Sequence, residues 1–280
     1  MHVASQNQSD YIISSNTGVK NHGSCAALCK TEGCFSFSYN EVDNKCDTYS
    51  IYFEETDNEE EADMSMSTLH FTRDYMSCSY VGVGSPSGVY RIKTLANKVI
   101  NVFCDMDTAG GPWTRRVDGG VDFYRNWTDY KNGFGDLNGE FWIGNDNLHH
   151  LTNTHRRLRV ELELWDGTKG FAQYSMFHVS DEEHNYTLTV QGFSGNIHNS
   201  LYYNNDQSFS TPDRDNDGIG YLNCAEIFHG SWWYGEYYEV NLNGDYRVDY
   251  GSPDTESMFW YKFPHGRLRA PLKTSMMMIQ

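Results

Sequence analysis

The seven cysteines are spaced too unevenly for one uniform domain. Cys25, Cys29, Cys34 and Cys46 fall within 22 residues, and the remaining three are Cys78, Cys104 and Cys224. A segment of about 75 residues buries too little surface to stand on its core alone, and such segments depend on covalent staples. Thiols clustered this way imply an oxidising, secretory route. The sequons at Asn7, Asn126 and Asn185 agree with that route, each one a weak signal alone. The start, "MHVASQNQSDYII", has no signal-peptide core, so a leader was either removed or not included. No apolar run nears the ~20 residues of a membrane helix. The expected location is therefore secreted and extracellular, without membrane insertion.

Between Cys46 and Cys78 lies "EETDNEEEADMSMS", an acidic run that reads as a solvated loop and divides the chain. Two domains are expected, at 1–76 and 77–280. Aromatic residues make up 15% of the 280-residue chain and include 20 Tyr and 7 Trp, alongside 25 Gly. That mixture favours strands and irregular loops over helical bundles. A net charge of −17 excludes nucleic acid and anionic membranes as partners, because phosphate would be repelled.

After Cys78, "SGVYRI" and "KVINVFCDMD" read as two strands, with Cys104 closing a loop back to Cys78. "RLRVELELW" alternates polar and apolar residues, the pattern of a strand with one buried face, and "YTLTVQGF" repeats it. "FWIGNDNLHHLT" reads as a short helix beyond a turn at Asn138-Gly139. In the first segment Ser24 can cap a helix bearing Cys25 and Cys29 on one face, followed by "CFSFSYN" as a strand.

Catalytic motifs are missing. His149, His150 and His155 have no HExxH arrangement and read as surface residues of a helix and its loop. "GFSGN" is not a nucleophile elbow. Glu161 and Glu163 lie on the polar face of a strand, where solvation is the simpler reading. No enzyme is expected.

The stretch "TPDRDNDGIGYLNCAEIF" places Asp213, Asp215 and Asp217 ahead of Gly218. An EF-hand loop begins this way, but its twelfth position needs a bidentate Glu, and counting from Asp213 that position is Cys224. Alternate carboxylates on an extended segment point the same way, so either a local cation turn or an acidic turn without a cation remains.

About fifty residues around the cysteine cluster resemble the PAN/apple family: a Cys-x3-Cys helix, then "CFSFSYN", then a further Cys. The resemblance pairs Cys25 with Cys46 and Cys29 with Cys34, although four cysteines alone permit three connectivities. It implies a module that binds protein or carbohydrate.

From Cys78 onward, "SPSGVYRI", "VFCDMDTAGGPWT", "RRVDGGVDFYRNWTDYKNGFGDLNGEFWIGNDNLHHLT", "LRVELELWDG", "STPDRDNDG", "NCAEIFHGSWWY" and "NLNG" occur in order. Together they resemble the fibrinogen C-terminal globular domain family. The resemblance implies an α+β fold of antiparallel sheets, short helices and long loops. It also implies a secreted, calcium-stabilised, non-catalytic binding domain, with many lectin members recognising acetylated sugars. Calcium would be held by the Asp215 and Asp217 side chains and by carbonyls of Ile219 and Tyr221. The spacing from this turn to Cys224 is slightly longer than usual.

Other positions depart from the family. Tyr237 stands where a second pocket cysteine is expected, and Tyr238 where a histidine is expected. Cys224 thereby lacks its usual partner and is either a buried free thiol or a bridge to another chain. A Tyr common in the lectins falls at Phe228, a second near Asp254, and a pocket Trp near Gly266, while Trp260 and Phe263 keep aromatic character. "GGPWTRRVDGG" is a few residues short of the family's strand after the Trp. Tyr237, Tyr238 and Trp260 could still form an aromatic platform for sugar. Two functions follow: calcium-dependent recognition of glycans or microbial surfaces, or a protein-interaction module using the same face. Disulfide-linked assembly through Cys224 is a third, which leaves an oligomer open.

Overall fold

The computed structural model describes residues 12–18, 36–40, 44–49, 67–69, 75, 77–78, 81, 85–106, 111–154, 156–235, 239–248 and 254–279. Chain contacts separate two compact units, Met1–Tyr75 with Ser79–Pro86, and Met76–Cys78 with Ser87–Gln280.

The first unit contains strands β1 (Ile12–Thr17), β2 (Ser36–Asn40), β3 (Lys45–Tyr49) and β4 (Ser67–Leu69). They form an antiparallel sheet in the order β1-β3-β2-β4. Cys46, on the central β3, is fully buried and disulfide-bonded. Its partner, the expected helix at Cys25 and Cys29, and Cys34 lie outside the described residues. So do Asn7 and the acidic run.

The second unit opens with the hairpin of β5 (Gly88–Lys93) and β6 (Val99–Cys104), whose last residue is bonded to Cys78. A seven-stranded antiparallel sheet follows, built from β7 (Gly111–Arg116), β8 (Phe134–Gly135), β9 (Phe141–Trp142), β10 (Arg156–Leu164), β11 (Lys169–Val179), β12 (Leu188–Gly195) and the C-terminal strand. That last strand inserts between β10 and β7, pairing Val160 with Met277 and Met277 with Thr114. The sheet centre therefore forms only when both ends of this unit meet.

The alternation seen in the sequence explains β10: Leu158, Val160, Leu162 and Leu164 are buried and the residues between them face outward. Glu161 and Glu163 are not simply solvated. Arg159 Nε lies 2.7 Å from Glu161, and Lys169 and Lys273 approach Glu163 at 3.5 and 3.4 Å. Strand β11 starts on the same period, with Ala172 and Tyr174 buried, but resumes at Phe177 and Val179. A register shift against β10 between Arg156 and Leu158 absorbs the extra residue.

Helix α1 (Trp127–Asn132) and helix α2 (Asn145–Thr152) flank the sheet. Asn126 caps α1 by accepting the Asp129 N–H at 2.9 Å. Gly144 precedes α2 with φ +100, and a Cβ there would meet the backbone of Asn132 at 2.8 Å.

Most of the aromatic abundance is core. Trp113, Trp142, Trp232 and Trp233 are at most 1% exposed and pack edge-to-face, Trp113–Trp142 and Trp232–Trp233 each at 5.0 Å. Trp233 donates its indole N–H to the Tyr186 carbonyl at 2.6 Å, and Trp142 donates to Asn145 at 3.0 Å.

The short segment after Trp113 closes around one side chain. Glu140 is 3% exposed, and its Oε1 accepts the N–H groups of Val117, Asp118 and Gly119 at 2.6, 3.0 and 3.0 Å. Its Oε2 accepts the Val121 N–H at 3.0 Å. Beside it Arg116, 2% exposed, donates to the carbonyls of Leu242 and Gly244 and stacks over Phe123. A buried carboxylate thus folds a loop that no strand pairing holds.

Candidate functional site

The aspartate-rich turn is anchored at both ends. Ser210 bridges to Trp232, and Thr211 and Arg214 exchange backbone hydrogen bonds at 3.0 Å. Asp213 Oδ1 accepts the Trp127 N–H at 2.8 Å and the Thr211 hydroxyl at 2.7 Å. The first aspartate therefore ties the loop to the start of α1.

Asp217 faces the loop interior, whereas Asp215 is exposed. Asp215 accepts the Asp217 N–H at 3.1 Å. Asp217 accepts the N–H of Ile219 on Oδ1 and that of Cys224 on Oδ2, both at 2.8 Å. Asp217 is 4% exposed, and among the described residues no cation pairs with it. Asn223 completes the frame: its amide donates to the carbonyls of Thr211 and Pro212, and its oxygen caps helix α3 (Cys224–Ile227) by accepting the Ala225 N–H.

A buried carboxylate without a counter-charge is costly, and carboxylate oxygens suit a hard divalent cation. Buried Asp217 fits calcium on both grounds, and exposed Asp215 only as an oxygen donor hydrogen-bonded to the Asp217 N–H. Among the described residues no three His, Cys, Asp or Glu side chains converge on a metal position. Any further protein donors would have to be neutral oxygens, from backbone carbonyls or from side-chain amides and hydroxyls. The Ile219 carbonyl already accepts the N–H groups of Tyr221 and Leu222 at 2.6 and 3.0 Å, so both its lone pairs are engaged. Tyr221 is 83% exposed at the tip of the turn.

Directly beyond the turn, Cys224 is 2% exposed and is a free thiol. Burial first, then hydrogen bonding to Asp217, pushes its thiol up to about 12. A bridging cysteine must reach the surface, and this one does not. The native protein is expected to be inert to a thiol reagent and to release one reactive Cys224 thiol on denaturation without reductant. A disulfide-linked dimer on non-reducing gels that disappears in Cys224→Ala would contradict this.

The expected ligand residues separate. Phe228, at the end of α3, is 6% exposed and packs against Tyr234 at 5.7 Å. Trp260 is fully buried in the short strand Phe259–Trp260, with its indole N–H on the His198 carbonyl at 2.7 Å. It is a core residue and offers no face to a ligand, contrary to the platform expected of it. Phe263 is likewise buried, while Gly266 lies in open space. Asp254 accepts the N–H groups of Glu256 and Ser257 at 2.9 and 3.0 Å. Tyr237, Tyr238 and His155 lie outside the described residues. Of the sequons, Asn126 is the exposed α1 cap, whereas half-buried Asn185 accepts from Arg214 at 2.8 Å.

A polar face next to α3 was not legible in the sequence. His229, at φ +50, stacks on Tyr124 with ring centroids 3.9 Å apart, and its Nδ1 is 2.6 Å from Asp245. Arg247 is gripped by Asp245 at 2.7 Å, by Asp254 at 3.2 Å and by Glu256. These residues come from positions 124, 229 and 245–256, so no spacing rule could group them. Half-exposed and net acidic, the face joins an aromatic pair to several polar groups.

Residues 71–280 match the family described as the fibrinogen beta and gamma chains, C-terminal globular domain. Among curated proteins, the chain is 43% identical over 195 residues to fibrinogen-like protein A of Apostichopus parvimensis, covering 67% of each. It is 42% identical over 188 residues to angiopoietin-related protein 7 of Mus musculus, covering 64% of this chain and 55% of that protein. With ficolin-3 of Homo sapiens it shares 41% over 197 residues, covering 67% of this chain and 66% of that one. The match thus spans little more than half of the angiopoietin-related relative. Among solved structures, the fibrinogen-like globe domain of human ANGPTL2 superposes with TM-score 0.69 at 34% identity, covering 74% of this chain and 98% of that one. Lamprey fibrin D-dimer, complexed with the peptide Gly-His-Arg-Pro-amide, gives 0.66 at 30%, covering 74% and 73%. The second unit has the fold of a fibrinogen-like globe, and the chain belongs to the fibrinogen C-terminal globular domain family, a family of non-enzymatic recognition and signalling proteins.

Proposed function

We propose that this chain is a secreted, calcium-dependent recognition protein of lectin type that reads glycans or microbial surfaces. The observation that carries this reading is the continuity of the Asp215–Asp217 turn with α3 and His229. A cation on Asp217 would stiffen the loop whose end presents the Tyr124–His229 face. An aromatic platform ringed by a few polar groups is what sugar recognition requires. Similarity to ficolin-3 supports the class. Calcium would act by ordering the loop, not by touching the ligand. The N-terminal unit, with its stapled Cys46, would serve as a PAN/apple-like second binding module.

The test is a glycan array run with calcium and again with chelator. Binding lost under chelation is the expected result; no glycan bound in either condition overturns the reading.

A second reading has its own support. The carboxylates of Asp245, Asp254 and Glu256 outnumber Arg247 on this face, which suits a basic protein partner. The lamprey relative was complexed with a basic peptide, Gly-His-Arg-Pro-amide. Saturable binding of that peptide, unaffected by competing sugars, would favour protein recognition.

A further inference from the structure

Away from the aspartate turn, a shallow, open cleft lies between the β5–β6 turn and the C-terminal end of α2. Its polar lining includes Lys93, Thr94, His150, Asn153, Thr154 and Arg156. No acidic side chain lines it, although the chain carries a net charge of −17. Such a chain repels anions at long range, so a basic cleft here is not the by-product of a basic surface.

The cations are half-buried and unpaired. Lys93 and Arg156 line the cleft, and Lys98 lies close enough to act electrostatically on His150. Among the described residues none of these three forms an ion pair, whereas Lys131, Lys169, Arg214 and Arg247 all do. Arg156 Nε donates to the Leu151 carbonyl at 3.3 Å, which steadies the guanidinium and leaves its two terminal nitrogens for a ligand. His150 Nδ1 is buried with no hydrogen-bond partner. The acidic neighbour acting on His150 is Asp146, and it is engaged by the Tyr186 hydroxyl and faces Lys131 at 4.0 Å. Two hydroxyls, an amide and an orphaned imidazole nitrogen thus surround fixed positive charge. A half-buried cation without a counter-ion is unfavourable, and a tetrahedral oxyanion would supply several acceptors at once.

From this convergence we infer that the cleft binds the oxyanion of a sulfate or phosphate monoester. It is separate from the calcium turn and does not depend on the lectin reading.

The test titrates the intact chain at low ionic strength with inorganic sulfate and inorganic phosphate, following amide shifts by NMR. The same is done with a sulfated disaccharide, its desulfated counterpart and glucose 6-phosphate. Saturable shifts at Thr94, Asn153 and Thr154 are expected for at least one ester and none for the desulfated sugar, and the tighter ester names the source. Lys93→Gln with Arg156→Gln should weaken binding by at least about tenfold, as loss of charge-assisted hydrogen bonds does. Arg156→Lys, which keeps the charge but loses the anchored fork, should fall between. Because Lys93 and Arg156 are half-buried, melting temperatures are measured alongside as a check on folding, and the chelator response should not move with these substitutions. Shifts confined to other parts of the chain, or affinity unchanged in the double variant, would overturn the assignment.

Discussion

Replacing Glu140 with alanine is expected to cost about 3–5 kcal/mol of folding stability, the range for removing one partner of a buried ionic arrangement. The argument rests on what the carboxylate leaves behind. Four backbone N–H groups, of Val117, Asp118, Gly119 and Val121, lose their acceptor together. Arg116, 2% exposed, loses the negative charge 3.9 Å from its Nε. Glu140 and Arg116 are themselves only 3% and 2% exposed, so solvent reaches the loop only from the outer side, at Asp118 and Gly119. Glu140→Gln keeps the shape and one acceptor oxygen but points an amide toward an N–H donor and leaves Arg116 uncompensated. It should be destabilising too, though less than alanine. Chemical denaturation of both variants measures this, with the midpoint falling and the slope unchanged. A midpoint within experimental error of the parent would refute the keystone role.

The same geometry fixes a pH dependence. Burial alone would raise the Glu140 carboxyl, but the N–H groups of Val117, Gly119, Val121 and Asp118 outweigh it and hold it below its ordinary value of 4.5. A carboxyl whose folded value is depressed stabilises the fold above its ordinary value. That contribution is then lost as pH falls through the folded one. Acid unfolding of the parent should therefore steepen below about pH 4.5, and the Glu140→Ala variant should lack that component.

Strand-level features were readable because they repeat. The buried Leu158, Val160, Leu162 and Leu164 are visible as period-two alternation, and α2 is visible between its turn and its two histidines. Cys78 and Cys104 could be paired because a hairpin lies between them. What escaped the sequence was whatever depended on a distant partner. Trp260 looked like a ligand platform because an aromatic residue carries no mark of which side it faces; its indole N–H in fact lies on the His198 carbonyl. The Tyr124–His229 stack unites positions more than a hundred residues apart. Asp213 shows the same limit from the other side. Its spacing matches that of Asp215 and Asp217, and only the structure shows why it stands apart from them, with its oxygen committed to the Trp127 amide, 86 residues earlier.

That difference among the three aspartates yields a second large effect. If Asp215 and Asp217 hold calcium, adding the ion should raise the melting temperature of the parent, since anything that binds only the folded state stabilises it. Calcium sites of extracellular modules have dissociation constants of roughly 10⁻⁴–10⁻³ M. At a hundred times the lower value the gain is about 2.7 kcal/mol, or roughly 5–10 °C for a unit of about 200 residues. Asp217→Asn should abolish the difference between calcium and chelator, because the amide withdraws the buried negative charge while keeping one oxygen for the Ile219 or Cys224 amide. Asp213→Asn should behave in the opposite way. Its stability should fall modestly in both buffers, through a weakened anchor on Trp127 and Thr211, while the calcium-dependent rise persists. Calorimetry of the three proteins with and without chelator separates the roles. Equal melting of the parent in both buffers would remove calcium from this turn and leave Asp217 as a purely structural acceptor for the Cys224 helix.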